Sequence, residues 1–264
     1  MSNFNGLSTV NVELTSRCNK ACWMCGRREV DREKPELANY GDMDVDLIIS
    51  ISNQLPRGVI VQFHNNGEPL LYPDLDAALV LFTGQIRCLD TNGKLLVEKA
   101  NDVIGHLDTI AVSIFEGDPE QLEQYLLLER FMKLKGGRPP RVIARILGNV
   151  KPAPYIYIGC WPIAKRVLHN PMGSFDYKKE VTIPEIGICL DMLTRMSIRW
   201  DGKVSHCVRF DPEGLGIIGD ATKQSLDEIW NGEVRRECVK CHIEGRRDKV
   251  PLCEHCDYWG CPTG

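Results

Sequence analysis

A chain of 264 residues with 43% hydrophobic and 26% charged side chains can bury a sizeable core, and none of its apolar runs approaches the roughly 18–20 residues that crossing a bilayer takes. Thirty-two basic against thirty-six acidic residues leave a net charge of −4, so no broad cationic surface points to nucleic acid or anionic lipid, and a small-molecule partner is expected. The N-terminal stretch has neither the cationic segment nor the apolar run of a secretion signal. The expected compartment is therefore the reducing cytoplasm, where the twelve cysteines read as metal ligands or catalytic thiols rather than disulfides.

Along the chain, short β-rich runs alternate with helical patterns up to about residue 170, the signature of βαβ units and a parallel sheet. The spacing predicts strands at Thr9–Leu14, Val59–His64, Ile86–Asp90, Thr109–Phe115, Arg141–Leu147 and Ile163–His169. Helices are expected between them near Val45–Gln54, Asp74–Phe82, Lys94–Val103 and Pro119–Lys135, the last reading as amphipathic with Leu122, Leu126 and Met132 among charges. Such a string suits a doubly wound sheet or a curved, incomplete barrel, and pattern alone does not choose. Beyond residue 170 the texture changes to Pro- and Gly-punctuated short elements. Met196–Trp200 and Val204–Val208 flank Asp201-Gly202 as a hairpin, and Ser225–Trp230 reads as one short helix. Few apolar residues follow Trp230, while seven of the twelve cysteines lie from Cys189 onward, so a metal staple is expected to hold the tail. We place the division at residue 175, with an α/β half over 1–175 and a small cysteine-rich half over 176–264.

Directly after the first strand stands Cys18-Asn-Lys-Ala-Cys22-Trp-Met-Cys25, a CxxxCxxC. Three thiolates on one short loop suit three irons of a cubane 4Fe–4S cluster and leave the fourth iron open for a ligand. Zinc is the plainer alternative, but structural zinc takes four ligands at spacings nearer CxxC. Loops at the C-terminal ends of parallel strands are where α/β folds place active sites.

On these residues the sequence resembles the radical S-adenosylmethionine (SAM) enzymes. The resemblance implies an incomplete (β/α)6 TIM-like barrel, a SAM-binding cluster on Cys18, Cys22 and Cys25, and reductive cleavage of SAM to a 5′-deoxyadenosyl radical that takes a substrate hydrogen. It also implies an external one-electron reductant such as flavodoxin or ferredoxin. Met24 stands where the family usually has an aromatic residue near the adenine, and a thioether also packs on a π-face. Asn66-Gly67-Glu68-Pro69 resembles the family's GGEP loop, which receives the SAM ammonium. Thr91-Asn92-Gly93 and Ser113 resemble the polar positions that hold the SAM carboxylate and ribose. Taken singly, Gly67 and Gly93 read as turn glycines and Ser113 as a strand hydroxyl; their weight is joint, at the same ends of consecutive strands.

Cys189 is followed by twelve residues, Gly202, four residues and Cys207, and then at a distance by Cys253-Glu-His-Cys256. Two ligands flanking a hairpin plus a CxxC would put four thiolates around one metal centre, and a zinc ribbon has similar spacing. With Leu226–Asn231 between them, these motifs resemble the SPASM and shortened Twitch extensions of radical SAM enzymes, which implies an auxiliary 4Fe–4S cluster and so two clusters in all. Cys238, Cys241 and Cys261 are left over, as extra ligands, hydrogen donors or free thiols. Buried packing is the ordinary reading of Cys88, while Cys160 beside Trp161 is a further thiol within reach of a cavity.

The compact length and cysteine spacing look most like the Twitch-type aminocyclitol dehydrogenases of antibiotic biosynthesis, which implies oxidation of a small alcohol, a sugar or cyclitol, with the auxiliary cluster as electron acceptor. Arg145, Arg166 and His169 are the candidates for contact with the reacting hydroxyl, although an arginine is a poor base. The alternatives are a radical epimerase that uses a cysteine as hydrogen donor, a SPASM-type peptide maturase, and a non-enzymatic zinc or electron-transfer protein.

Overall fold

The computed structural model describes residues 4–165, 187–254 and 256. Its centre is one nine-stranded sheet in the order β6-β5-β4-β3-β2-β1-β7-β8-β9. The strands are β1 (Thr9–Val12), β2 (Ile60–Phe63), β3 (Ile86–Thr91), β4 (Thr109–Phe115), β5 (Arg141–Leu147), β6 (Trp161–Lys165), β7 (Arg195–Ile198), β8 (Lys203–Ser205) and β9 (Ile217–Asp220). Strands β1 to β6 run parallel in sequence order, and β7 adds parallel to the free side of β1 before β8 and β9 turn antiparallel. The six-stranded parallel part is the incomplete barrel expected from the sequence. The predicted hairpin around Asp201-Gly202 is present as β7–β8 and continues the same sheet.

Nine helices cover the described chain: α1 (Gly26–Glu33), α2 (Val45–Gln54), α3 (Leu75–Val80), α4 (Ala100–Val103), α5 (Gln121–Lys135), α6 (Ala153–Tyr157), α7 (Leu190–Thr194), α8 (Leu226–Trp230) and α9 (Glu233–Ile243). Local chemistry sets their ends. Asp44 accepts the Asp46 amide at the start of α2, and Ser225 with Glu228 forms a capping box on α8. None of the helices is long and apolar enough to cross a membrane among the described residues.

Alternation along the strands divides the sheet into two faces. Val10, Val12, Val61, Phe63, Leu89, Ile110, Val112, Ile114, Ala144 and Ile146 are fully buried, and each such aliphatic or aromatic side chain contributes about 1.5–3 kcal/mol by burial. The intervening positions, Asn11, Gln62, Asp90, Ser113 and Arg145, carry polar groups on the other face.

Three elements differ from the sequence reading. The buried face of α5 is Gln124, Leu128, Phe131 and Lys135, whereas Leu122 and Leu126 are exposed. Gln124 turns inward because its amide donates to the carbonyls of Asn92 (2.6 Å) and Ser113 (2.7 Å), so a polar residue takes the place that periodicity assigns to leucine. The helix expected over Lys94–Val103 shortens to one turn, α4. Strand β6 starts two residues ahead of its expected position, and the rest of Ile163–His169 lies outside the described residues.

Candidate functional site: two cysteine centres on one sheet

Cys18, Cys22 and Cys25 lie half-buried on the loop that leaves β1, and Cys25 opens α1, where the Arg28 amide bonds its carbonyl at 2.9 Å. The thiols feel one another. Burial, with Cys25 and Cys18 as neighbours, pushes the Cys22 thiol up to about 12, and burial likewise raises Cys18. Three cysteines on one short loop, two of them buried enough to disfavour a bare thiolate, fit an iron centre bound through three of its metals.

The loop is held by a residue inside the motif. Lys20 is buried, and its Nζ lies 2.5 Å from Asp118 and 3.4 Å from Glu120 in the turn after β4. Lys94 completes the group at 2.7 Å from Glu120, and the Lys20 ammonium also sits 5.0 Å over the Phe115 ring. Trp23 is exposed and donates to the Glu116 carbonyl at 3.3 Å; Met24 is half-buried beside it in the chain.

The Asn66-Gly67-Glu68-Pro69 turn packs directly under this loop. A Cβ on Gly67 would meet the Thr15 carbonyl oxygen at 2.0 Å, so the glycine serves the backbone of the cysteine loop itself. Glu68 is buried, and its carboxylate accepts from Thr91 Oγ1 (2.7 Å), the Asn92 amide (2.7 Å) and the Leu70 amide (3.1 Å). Burial raises its pKa and the three donors pull it back. Glu68 is thus the post to which the Thr91-Asn92 turn is tied. Pro69 starts a buried 3-10 turn that the Glu68 side chain caps. Asn92 in turn donates to Asn19 at 2.8 Å, within the cysteine motif. Ser113 lies half-buried two positions before the end of β4, its carbonyl held by Gln124.

Glu13, which the sequence reading missed, joins the two halves. It is buried one residue past β1, and it accepts the Asn66 amide at 2.9 Å and the Trp200 amide at 3.2 Å. One carboxylate therefore fixes both the Asn66–Pro69 turn and the β7–β8 hairpin.

The polar face of the sheet converges on Asp90. Gln62 donates to it at 2.7 Å, the Arg145 guanidinium pairs with it, and His64 Nε2 lies 3.4 Å away. Burial lowers the His64 pKa against the pull of Asp90. Asn11 braces the group, donating to the His64 carbonyl (3.1 Å) and facing Arg195 (3.5 Å). Of the candidate hydroxyl-contacting residues, Arg145 is here; Arg166 and His169 lie outside the described residues. Asp90 and His64 carry no sequence motif, and only strand pairing brings them beside Arg145.

The second centre assembles from four segments. Cys189 caps α7, Cys207 follows β8, Cys253 ends the turn at Pro251–Cys253, and Cys256 comes just after; all four line one cavity with Met192, His206 and Leu252. Burial pushes Cys207 up to about 12 and raises Cys253 and Cys189, with the other thiols of the ring adding to each. Four mutually sensed thiols around a mostly apolar cavity fit a fully ligated cluster. Among the described residues no three His, Cys, Asp or Glu side chains gather as a single-ion site would require. The fold here is tight, since a Cβ on Gly216 would meet Leu252 at 2.4 Å and one on Gly202 would meet Thr222 at 2.6 Å. Cys238 and Cys241 sit on α9 and pack against Cys189, Met192, Val250 and Cys253 without lining the cavity; Cys261 lies outside the described residues. Cys160 is buried and pushed up to about 11, and Cys88 is half-buried in β3.

Residues 189–257 match the model of the SPASM iron–sulfur cluster-binding domain. Over 257 residues the chain is 23% identical to the S-adenosyl-L-methionine-dependent 2-deoxy-scyllo-inosamine dehydrogenase of Niallia circulans, covering 95% of this chain and 92% of that one. Among solved structures it is similar to BtrN in complex with AdoMet and 2-DOIA, with a TM-score of 0.67 at 18% identity over 97% of this chain and 95% of that one. It is also similar to Streptococcus suis SuiB bound to its precursor peptide SuiA, with a TM-score of 0.53 at 15% identity over 91% and 71%.

Proposed function

We propose that this radical SAM enzyme, an oxidoreductase with a SPASM iron–sulfur domain, oxidises a secondary alcohol of a small polyhydroxylated molecule, a sugar or cyclitol, and passes the second electron to the auxiliary cluster. The observation that carries this reading is the ring of four thiols, Cys189, Cys207, Cys253 and Cys256, around one cavity: a cluster with every iron held by protein has no place for SAM and is suited to take an electron. Nearly full-length similarity to an aminocyclitol dehydrogenase supports the substrate class. An external one-electron donor of the flavodoxin or ferredoxin kind would start each turnover.

Cys18, Cys22 and Cys25 would hold the first cluster, which together with SAM would supply the radical chemistry that removes a hydrogen atom from the substrate carbon. The chain's own residues position and deprotonate. The Glu68-anchored turn presents Asn66 and Asn92 beside the cysteine loop, where a zwitterionic methionyl group needs hydrogen-bonding partners. Arg145, held by Asp90, orients a substrate oxygen and keeps its own protons. His64 is the better acceptor of the hydroxyl proton: burial keeps the imidazole neutral, and its Nδ1 is buried without a hydrogen-bond partner. A deprotonated substrate radical is a stronger reductant, which favours transfer of its electron.

The test is anaerobic. Iron and sulfide near eight each per chain are expected for two 4Fe–4S clusters, and reduction with dithionite in the presence of SAM gives 5′-deoxyadenosine. A panel led by 2-deoxy-scyllo-inosamine then separates the outcomes. A ketone supports the dehydrogenase, solvent deuterium at an inverted carbon gives the epimerase, and turnover of peptides alone gives the maturase that the SuiB likeness favours. One zinc per chain in place of the second cluster overturns the reading.

A further inference from the structure

The auxiliary cavity holds a side chain that neither the cysteine spacing nor the domain match gives a role. His206 stands between β8 and Cys207 and is 2% exposed. Its Nε2 lies 3.7 Å from Cys253 Sγ, and the ring lines the same cavity as all four thiols. The other polar group at the buried ring is the Gly216 carbonyl, which makes no well-formed bond to Nδ1, so the better acceptor sets which nitrogen carries the ring's proton. Its backbone is fixed, since the His206 amide bonds the Gly216 carbonyl at 3.1 Å and extends the β8–β9 ladder. A second buried histidine, His242 on α9, faces the opposite ligand differently: its Nδ1 accepts the Cys189 amide at 3.3 Å and so holds backbone.

We propose that His206 donates an N–H···S hydrogen bond from Nε2 to the Cys253 sulfur when the auxiliary cluster is bound, and thereby raises that cluster's affinity for an electron. Adding an electron places more negative charge on the ligand sulfurs, so a donor aimed at one of them favours the reduced state over the oxidised one; hydrogen bonds to sulfur are among the levers that set such potentials. His206 is a positioning and tuning residue, touching neither substrate nor SAM. The inference rests on the reading of this cavity as a cluster site.

The full-length chain with Cys18, Cys22 and Cys25 replaced by alanine carries only the auxiliary cluster, so its midpoint potential is read without overlap by redox titration followed by electron paramagnetic resonance. In that background His206→Leu is expected to keep four irons and lose about tenfold in electron affinity, a shift of about 59 mV to more negative potential for a one-electron couple. His206→Gln, whose amide N–H can reach the place of Nε2, recovers most of the shift. A weak nitrogen coupling in the pulsed spectrum of the parent disappears in His206→Leu. An unchanged midpoint with the cluster intact overturns the proposal, as does a strong coupling from a directly bound nitrogen, which would make His206 a ligand. If His206→Leu loses its iron, His206→Gln decides: a midpoint near the parent's with a weak nitrogen coupling retained supports donation, and loss of iron there too overturns it. A parent protein with no four-iron cluster overturns the cavity reading itself, an outcome distinct from an unchanged midpoint.

Discussion

Cys18, Cys22 and Cys25 occupy one loop that other parts of the barrel hold in place, whereas Cys189, Cys207, Cys253 and Cys256 meet only after α7, the β7–β8 hairpin and the turn at Pro251–Cys253 have come together. The loop site is braced by buried charge, through Lys20 to Asp118 and through Glu68 to Thr91 and Asn92. The second site has a small apolar cluster, Met192, Val250 and Cys253, and its polar supports reach backbone rather than a buried counter-charge, through His242 to the Cys189 amide, Arg247 to the Cys256 carbonyl and Arg235 to the Met192 carbonyl. The difference teaches where each centre's stability comes from. The cysteine loop is expected to be held by the barrel's buried charges, while the C-terminal cysteines are expected to gain much of their order from the cluster itself.

The strongest way to break this comparison is to remove one ligand from each site. Cys25→Ala is expected to abolish 5′-deoxyadenosine formation, to retain about four irons at the second site, and to leave the melting temperature near that of the wild type. Cys253→Ala is expected to keep SAM cleavage, lose ketone formation and about four irons, and expose the region after Cys189 to proteolysis. Iron analysis, product chromatography and limited proteolysis read all of these. Equal stability losses in the two variants would erase the distinction.

Lys20 sharpens the comparison within the loop site. Lys20→Met leaves the Asp118 carboxylate buried, with 1% of its side chain exposed, and stripped of its cation, a change that costs about 3–5 kcal/mol when a buried pair loses one member. Urea denaturation should show that loss, and Lys20→Met with Asp118→Leu should recover most of it. Gly67→Ala is expected to cost about 1–3 kcal/mol, since its Cβ would meet the Thr15 carbonyl at 2.0 Å and the overpacked turn must shift. SAM affinity should fall with it, measured by equilibrium dialysis of the cluster-loaded protein.

Much of the barrel was legible because its signals are local. Strands Thr109–Phe115 and Arg141–Leu147 and the helix Val45–Gln54 have the expected bounds, for runs of β-branched residues and a capped amphipathic stretch carry their own periodicity. The cysteine motifs stand out in the sequence for the same reason, since their spacing is local. The supports were not. Lys20 inside CxxxCxxC looks like any solvated lysine until the turn after β4 brings Asp118 to it. Glu13 and Asp90 find partners 53 and 26 residues away along the chain at the nearest, a pairing fixed by strand order alone. Gln124 hid the inward face of α5, because a glutamine that satisfies two carbonyls occupies a position where pattern expects an apolar residue.

Asp220 supplies the smallest effect and the clearest contrast with Lys20. It sits at the end of β9, where the Lys203 ammonium at 2.7 Å and the Thr222 hydroxyl and amide hold its carboxyl well below the usual carboxylate range. A depressed folded-state pKa means that the unfolded chain binds the proton more readily, so the stabilisation is fully present above the ordinary aspartate value near 3.8 and is lost as pH falls through the folded value. The Lys203 side chain of the pair is 41% exposed, so solvent screening keeps its contribution small. Asp220→Asn should therefore lower stability slightly and by a constant amount from neutral pH down to about pH 5, and the gap to the wild type should close below pH 4. Added salt should narrow the same gap at neutral pH. A loss as large as that of Lys20→Met would show that the C-terminal half also leans on its charges, and the contrast between a charge-braced loop and a cluster-ordered cavity would fail.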